Sequence, residues 1–148
     1  FFRDTMCTAA AVFLVLVLTD LSFSAKFEFT DLGTNQCSGQ DKATALKYKI
    51  LGPPPGEFRA ILSGYSSHCY SIMRLAMDEK CVVRKATGLP FNMTEPCAKC
   101  YAASSTCGSQ HCKLACLGRT LSDSCISCVD EHCTPQTEVC SGIPAGRP

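Results

Sequence analysis

Residues 97–140 read CAKCYAASSTCGSQHCKLACLGRTLSDSCISCVDEHCTPQTEVC, and nine of the chain's 13 cysteines fall in this stretch. A segment so rich in thiols is either a disulfide framework or a metal site, and the choice decides the fold. The metal reading has support in the spacing. Cys97-x2-Cys100 and Cys125-x2-Cys128 form a CxxC…CxxC pair near the interval of zinc ribbons, and His111 and His132 each precede a cysteine as further candidate ligands. Against it, nine thiols exceed what one tetrahedral zinc takes. The other end of the chain supplies the second argument.

From Met6 the chain reads MCTAAAVFLVLVLTDLSFSA, with an uninterrupted apolar run from Ala9 to Leu18. That run has the length of a secretory h-region and falls far short of the ~20 residues needed to cross a bilayer. Small residues at Ser22, Ser24 and Ala25 place cleavage after Ser24 or Ala25. Residues 1–24 are therefore expected to be a signal peptide starting at Met6, with no stable membrane anchor after its removal. The segment lacks a strong basic flank, since only Arg3 precedes the run. Export delivers the chain to an oxidising compartment, where closely spaced thiols become disulfides.

Cleavage also removes Cys7 and leaves an even number of cysteines, the signature of a secreted disulfide scaffold. Cys37, Cys69, Cys81, Cys97, Cys100, Cys107, Cys112, Cys116, Cys125, Cys128, Cys133 and Cys140 are all read as disulfide-bonded. No metal ligand and no cofactor is assigned, and zinc held by the CxxC pairs stands as an alternative. Three of these cysteines precede Cys97, so complete intramolecular pairing requires an odd number of bonds between the first half and the tail. Within the tail, adjacent antiparallel helices favour a nested pairing of Cys97 with Cys116 and Cys100 with Cys112. Cys125, Cys128, Cys133 and Cys140 would then close a second unit.

Working outward, the fold class expected is a small, disulfide-rich α+β protein. Residues 25–91 read as an antiparallel β module. Strand signals run through Lys26–Thr30, Ala45–Leu51 (Leu46, Tyr48 and Ile50 on one face), Glu57–Leu62, Cys69–Met77 and Cys81–Arg84. They are separated by Asp31–Gln40, the Gly52-Pro53-Pro54-Pro55-Gly56 connection, Ser63–Ser67, Asp78–Lys80 and Gly88-Leu89-Pro90. Residues 92–141 read as a short-helix, cysteine-dense module, because cysteines three or four apart share a helix face. Thr94-Glu95-Pro96 and Ser122-Asp123 look like helix starts, and Gly108, Gly118 and Pro135 look like punctuation. The His-Cys pairs at 111–112 and 132–133 give a hint of duplication. Residues 142–148 read as a disordered tail.

Net charge is +1, from 14 basic and 13 acidic residues, and the longest basic run is Arg84-Lys85. Nothing here makes an electrostatic footprint for nucleic acid. Three histidines, His68, His111 and His132, are the only candidate general bases of their type. His132 follows Asp130-Glu131, but neighbours on a short helix point in different directions, so a solvated surface is the plainer reading. No GxSxG elbow, HExxH, phosphate loop or calcium loop occurs. No catalytic residue is assigned. The expectation is a secreted, extracellular, non-catalytic interaction protein (an effector, defence factor or inhibitor-like module) for a protein, glycan or small apolar ligand. A small secreted hydrolase is the alternative. Met73, Met77 and the nearby aliphatics read as ordinary core, with an apolar ligand pocket lined by them as the alternative. Asn92-Met93-Thr94 is a glycosylation sequon, with Asn92 as the acceptor. The sequence assigns no oligomeric state.

Overall fold

Among the described residues, helix and not strand dominates on both sides of the 91/92 boundary. The computed structural model describes residues 29–48 and 57–145. The signal segment, the start of the first expected strand, the triple-proline connection and residues 146–148 lie outside the described residues. Seven helices are found among those described: α1 (Phe29–Leu32), α2 (Gly39–Lys47), α3 (Glu57–Cys69), α4 (Glu79–Thr87), α5 (Glu95–His111), α6 (Asp123–His132) and α7 (Thr134–Ser141). A single two-stranded antiparallel sheet, β1 (Tyr70–Ser71) with β2 (Ala76–Met77), sits between α3 and α4. The described part of the expected α+β protein is mostly α.

The β module of residues 25–91 is thereby corrected, and the reasons are local. Ser38 caps α2 in a capping box, accepting from the Asp41 backbone N–H while the Asp41 side chain reaches back to Ser38. The helix turns Ala45 inward and leaves Leu46 62 % exposed, the reverse of the face expected for a strand. In α3 the expected strand Glu57–Leu62 and the expected turn Ser63–Ser67 are one helix. Phe58, Ile61, Leu62 and Tyr65 recur at helical intervals and all pack into one core. Ser66 and Ser67, read as turn residues, donate instead to the carbonyls of Leu62 and Ser63 one turn back. Asp78 is an N-cap, accepting from the Cys81 N–H, so Cys81–Arg84 enters a helix and buries Val82 and Ala86.

The tail follows the expected helical plan more closely. Thr94 and Pro96 open α5, and Ser122 caps α6 by accepting from Cys125. Gly118, at φ 81°, makes a turn between them. Gly108 and Pro135 are not breaks. Gly108 lies within α5, and Pro135 occupies the first turn of α7, where its missing N–H costs nothing.

All twelve described cysteines are bonded, in six disulfides. The nested pairing of Cys97 with Cys116 and Cys100 with Cys112 is not formed. Cys100–Cys140, Cys107–Cys133, Cys112–Cys128 and Cys116–Cys125 instead make one ladder that ties α5 and the turn after it to α6 and α7. Cys69–Cys81 is local, and Cys37–Cys97 crosses from the first half to the tail. The helix explains the difference. Cys97 and Cys100 are close to one face but ~60° apart around α5, far enough for Cys97 to meet the start of α2 while Cys100 meets α7.

The core has residues from both sides of the boundary read at 91/92. Phe91, 2 % exposed, has Phe58 at 4.8 Å, Tyr48 at 5.1 Å and Tyr65 at 6.0 Å between ring centroids. Tyr101 of α5 meets Phe58 edge-on at 5.3 Å. Burial pushes the Tyr101 phenol well above its ordinary range, and its hydroxyl pairs with Ser141 of α7. The end of α7 is covered by the chain's first half: the N–H groups of Asn35, Gln36 and Cys37 donate to the carbonyls of Val139, Cys140 and Ser141. Gly142 then leaves the helix at φ 68°, where a Cβ would run into the Asn35 side chain and backbone. Only glycine fits both the backbone and the space.

One carboxylate joins two helix starts. Asp41 is 2 % exposed and accepts from the Ser38 N–H and hydroxyl and from the N–H and hydroxyl of Thr94, the N-cap of α5. Burial alone would raise its pKa, but the hydrogen bonds from Thr94 and then Ser38 outweigh that and hold it below the ordinary 3.8. A carboxyl lowered in the folded state stabilises fully above its unfolded value, and that contribution is lost as pH falls through the folded value. Asp41→Asn is expected to cost about 2 kcal/mol at neutral pH. Its melting-temperature deficit should shrink as pH drops below about 4. A deficit constant from pH 7 to pH 2 would show that the charge is not what binds the two helices.

Candidate functional site

The turn of the short sheet carries Met73, the most exposed large apolar side chain among the described residues, between two further exposed ones. Tyr70 pairs with Met77 and Ser71 with Ala76, leaving Ile72-Met73-Arg74-Leu75 as the tip of the hairpin. Ile72 is 80 %, Met73 98 % and Leu75 61 % exposed. Apolar side chains are normally the first to be buried, so three of them clustered on one projecting turn are informative where one would not be. Leu75 also holds φ at 49°, a left-handed conformation uncommon for a branched aliphatic residue. The Arg74 N–H donates to the Ser71 hydroxyl, closing the turn from inside.

The base of the hairpin is fixed. Cys69 immediately before β1 is bonded to Cys81 in the first turn of α4, and the Asp78 N–H donates to the Cys69 carbonyl. Met77 packs against the buried cluster of Cys69, Val82 and Ala102. Met77 takes the core place expected of it, and for Met73 that expectation is corrected. They are an even number apart, but Met73 lies in the turn and Met77 in β2, so Met77 faces the core and Met73 projects from the tip. Ile72 and Leu75 were not singled out from sequence. The available signal was an apolar run enclosed by Cys69 and Cys81 and followed by a capping aspartate.

The three histidines are separated in role. His68 is exposed on α3, its Nδ1 at 3.0 Å from the Gly64 carbonyl one turn back. His111 and His132 end α5 and α6 and stack across the hairpin they form, ring centroids 5.9 Å apart and planes inclined by 24°. Of the two acids that precede His132, Asp130 is turned elsewhere. Asp130 makes a two-pronged ion pair with Arg59 of α3 and accepts from the Thr134 hydroxyl, with Arg59 and Asp130 both largely shielded from solvent. This bridge between α3 and α6 was not visible in the sequence, because its partners are 71 residues apart.

Cys37, Asp41 and Cys97 bring potential metal-binding atoms together in a buried cluster. Both sulfurs are consumed by the Cys37–Cys97 bond, and the Asp41 oxygens are occupied by Ser38 and Thr94. The zinc reading through CxxC thiolates meets the same obstacle, since Cys97, Cys100, Cys125 and Cys128 are each in a different disulfide. Asn92 of the sequon is exposed at φ 49°, beside a shallow, open depression of about 310 Å³ between α2 and Pro90–Asn92. Among the described residues, no helix is long and apolar enough to cross a membrane. The chain is thus a small, cysteine-rich, disulfide-bonded scaffold that presents a stapled apolar turn. It matches no protein-family model, no curated protein and no solved structure.

Proposed function

We propose that this chain is a secreted, non-catalytic binding module that inserts the hairpin tip Ile72-Met73-Arg74-Leu75 into an apolar cleft of a partner protein. The observation that carries the reading is the tip itself. It has three exposed apolar side chains on a turn whose base is held by Cys69–Cys81 and by the packing of Met77. A turn already ordered before binding loses little conformational entropy on association. A few apolar anchors seated in a pocket commonly supply most of an interface's energy. Arg74 adds a cation and a planar donor set for a carboxylate or carbonyl at the rim of that cleft. Six disulfides fit folding in an oxidising compartment, in line with an extracellular site of action.

Selection of a random phage-displayed peptide library on the oxidised protein tests the reading. The enriched peptides should be apolar and should bind Met73→Asp about thirtyfold more weakly, the equivalent of losing a hot-spot contact of about 2 kcal/mol. Leu117→Asp, on the distant turn after α5, should leave them unchanged. Peptides indifferent to Met73→Asp would move the binding surface elsewhere. The hydrolase alternative rests on the histidines. Turnover in a broad hydrolase screen that disappears in His68→Asn, His111→Asn or His132→Asn would overturn the non-catalytic reading.

A further inference from the structure

The disulfides remove every described cysteine from metal chemistry but leave two imidazoles facing each other. His111 and His132 are both exposed, their ring centroids are 5.9 Å apart, and neither ring takes part in a hydrogen bond among the described residues. Each is fixed by the residue after it. Cys112 is bonded to Cys128 on α6, and Cys133 to Cys107 on α5, so consecutive rungs of the ladder hold both histidine backbones in place. Of the two acids that precede His132, Asp130 is committed to Arg59 and Thr134. The pair therefore sits on a rigid frame with ring nitrogens free to accept a ligand.

We infer that His111 and His132 form a two-imidazole site for a late first-row divalent cation of the zinc and copper class. Neutral imidazole suits these ions over magnesium or calcium, which prefer oxygen. A zinc ion lies 2.0–2.1 Å from a ligating nitrogen and hence roughly 3 Å from the centre of that ring. Imidazoles sharing one such ion have their centroids roughly 5–6 Å apart, so the 5.9 Å separation suits a shared ion once each of the stacked rings turns about its side-chain bonds to aim a nitrogen at it. Water completes the coordination, because no third protein ligand converges on the pair among the described residues. The ladder supplies the preorganisation that two isolated surface histidines lack, since bringing them together costs no further ordering of the backbone. The repeated His-Cys dipeptide acquires a reason on this reading: in both copies the cysteine fixes the histidine that precedes it.

The test is titration of the full oxidised chain with Zn2+ by calorimetry in a non-coordinating buffer. Imidazole ring resonances are followed in parallel by NMR. One equivalent should bind, with the rings of His111 and His132 shifting together while that of His68 stays in place. His111→Asn and His132→Asn should each weaken binding by at least the roughly 10–100-fold seen when a metal ligand merely loses its supporting partner. His68→Asn should leave it unchanged. Both variants alter exposed side chains, and intact mass with six disulfides confirms the fold. No binding at millimolar zinc overturns the site, as does binding that survives both substitutions, depends on His68, or shifts only one of the two rings.

Discussion

Replacing Cys37 and Cys97 together by alanine should lower the unfolding free energy by about 4 kcal/mol, the largest loss expected for any one of the six bonds. The bond closes a loop of 60 residues, the longest separation in the set, and it alone among the described pairs joins the first half of the chain to the tail. It also lies beside Asp41, so its loss loosens the contact that joins the starts of α2 and α5. The Cys107–Cys133 pair provides the comparison. Its separation is 26 residues, but Cys100–Cys140 and Cys112–Cys128 on either side keep the two segments in register when it is absent. Removing that rung should cost about 2 kcal/mol, because the conformational freedom it restricts is already small. Denaturant titration of the two double variants checks the order. Equal losses would mean that rungs and cross-link act alike, and the ladder argument would fail. Both partners must be replaced together, since a single free thiol would exchange with neighbouring disulfides.

The second large effect is at Phe91. Phe91→Ala should cost about 3–5 kcal/mol, the range for emptying an aromatic site in a well-packed core. Phe91 is where the aromatic residues of α2 and α3 converge: Tyr48, Phe58 and Tyr65 all reach it. Tyr48 follows α2 while Phe58 and Tyr65 lie on α3, so the rings cannot collapse together into the space without moving both helices, each of which is tied by a disulfide at one end. Leu89, two residues earlier and 88 % exposed, is the control. Leu89→Ala should change stability by less than about 0.5 kcal/mol. A thermal melt in which Phe91→Ala and Leu89→Ala coincide would show that the ring cluster is not the core.

How much of this could be read from the chain depends on whether the signal was local. Helix starts at Thr94 and Ser122 were legible because their signals, a proline in the first turn of α5 and a capping serine before α6, are written within four residues. The need for a bond across the two halves was legible from cysteine parity, which does not depend on conformation. Strand was read where helix formed because serines were taken at their average preference. In α3, Ser66 and Ser67 satisfy their hydroxyls on carbonyls one turn back, and Phe58, Ile61, Leu62 and Tyr65 then form a single stripe across what looked like a turn. The capping box at Ser38 and Asp41 is a four-residue signal of the same kind as Ser122, and it was obscured by the alternation of Leu46, Tyr48 and Ile50. Disulfide partners were not legible. Spacing tells which cysteines share a helix but not which neighbour each will face, and α5 has two neighbours, so Cys97 and Cys100 part company. The apolar tip at Ile72–Leu75 and the bridge from Arg59 to Asp130 depend on how distant segments meet, and no local pattern encodes that.

The ladder sets a rule of length as well as of pairing. From Cys100 to Cys107 to Cys112 the chain advances seven residues and then five, and from Cys140 to Cys133 to Cys128 it retreats by the same two steps. Because the two sides are matched rung for rung, a residue inserted on one side alone would rotate every later cysteine on that helix by about 100° away from its partner. Insertions and deletions here are therefore tolerated only in compensating pairs, whereas the turn between Cys116 and Cys125 lies beyond the last rung and can change in length without disturbing any of them. Surface loops added by design, and natural variants of this chain that differ in length, should accordingly place their changes at Leu117–Ser124.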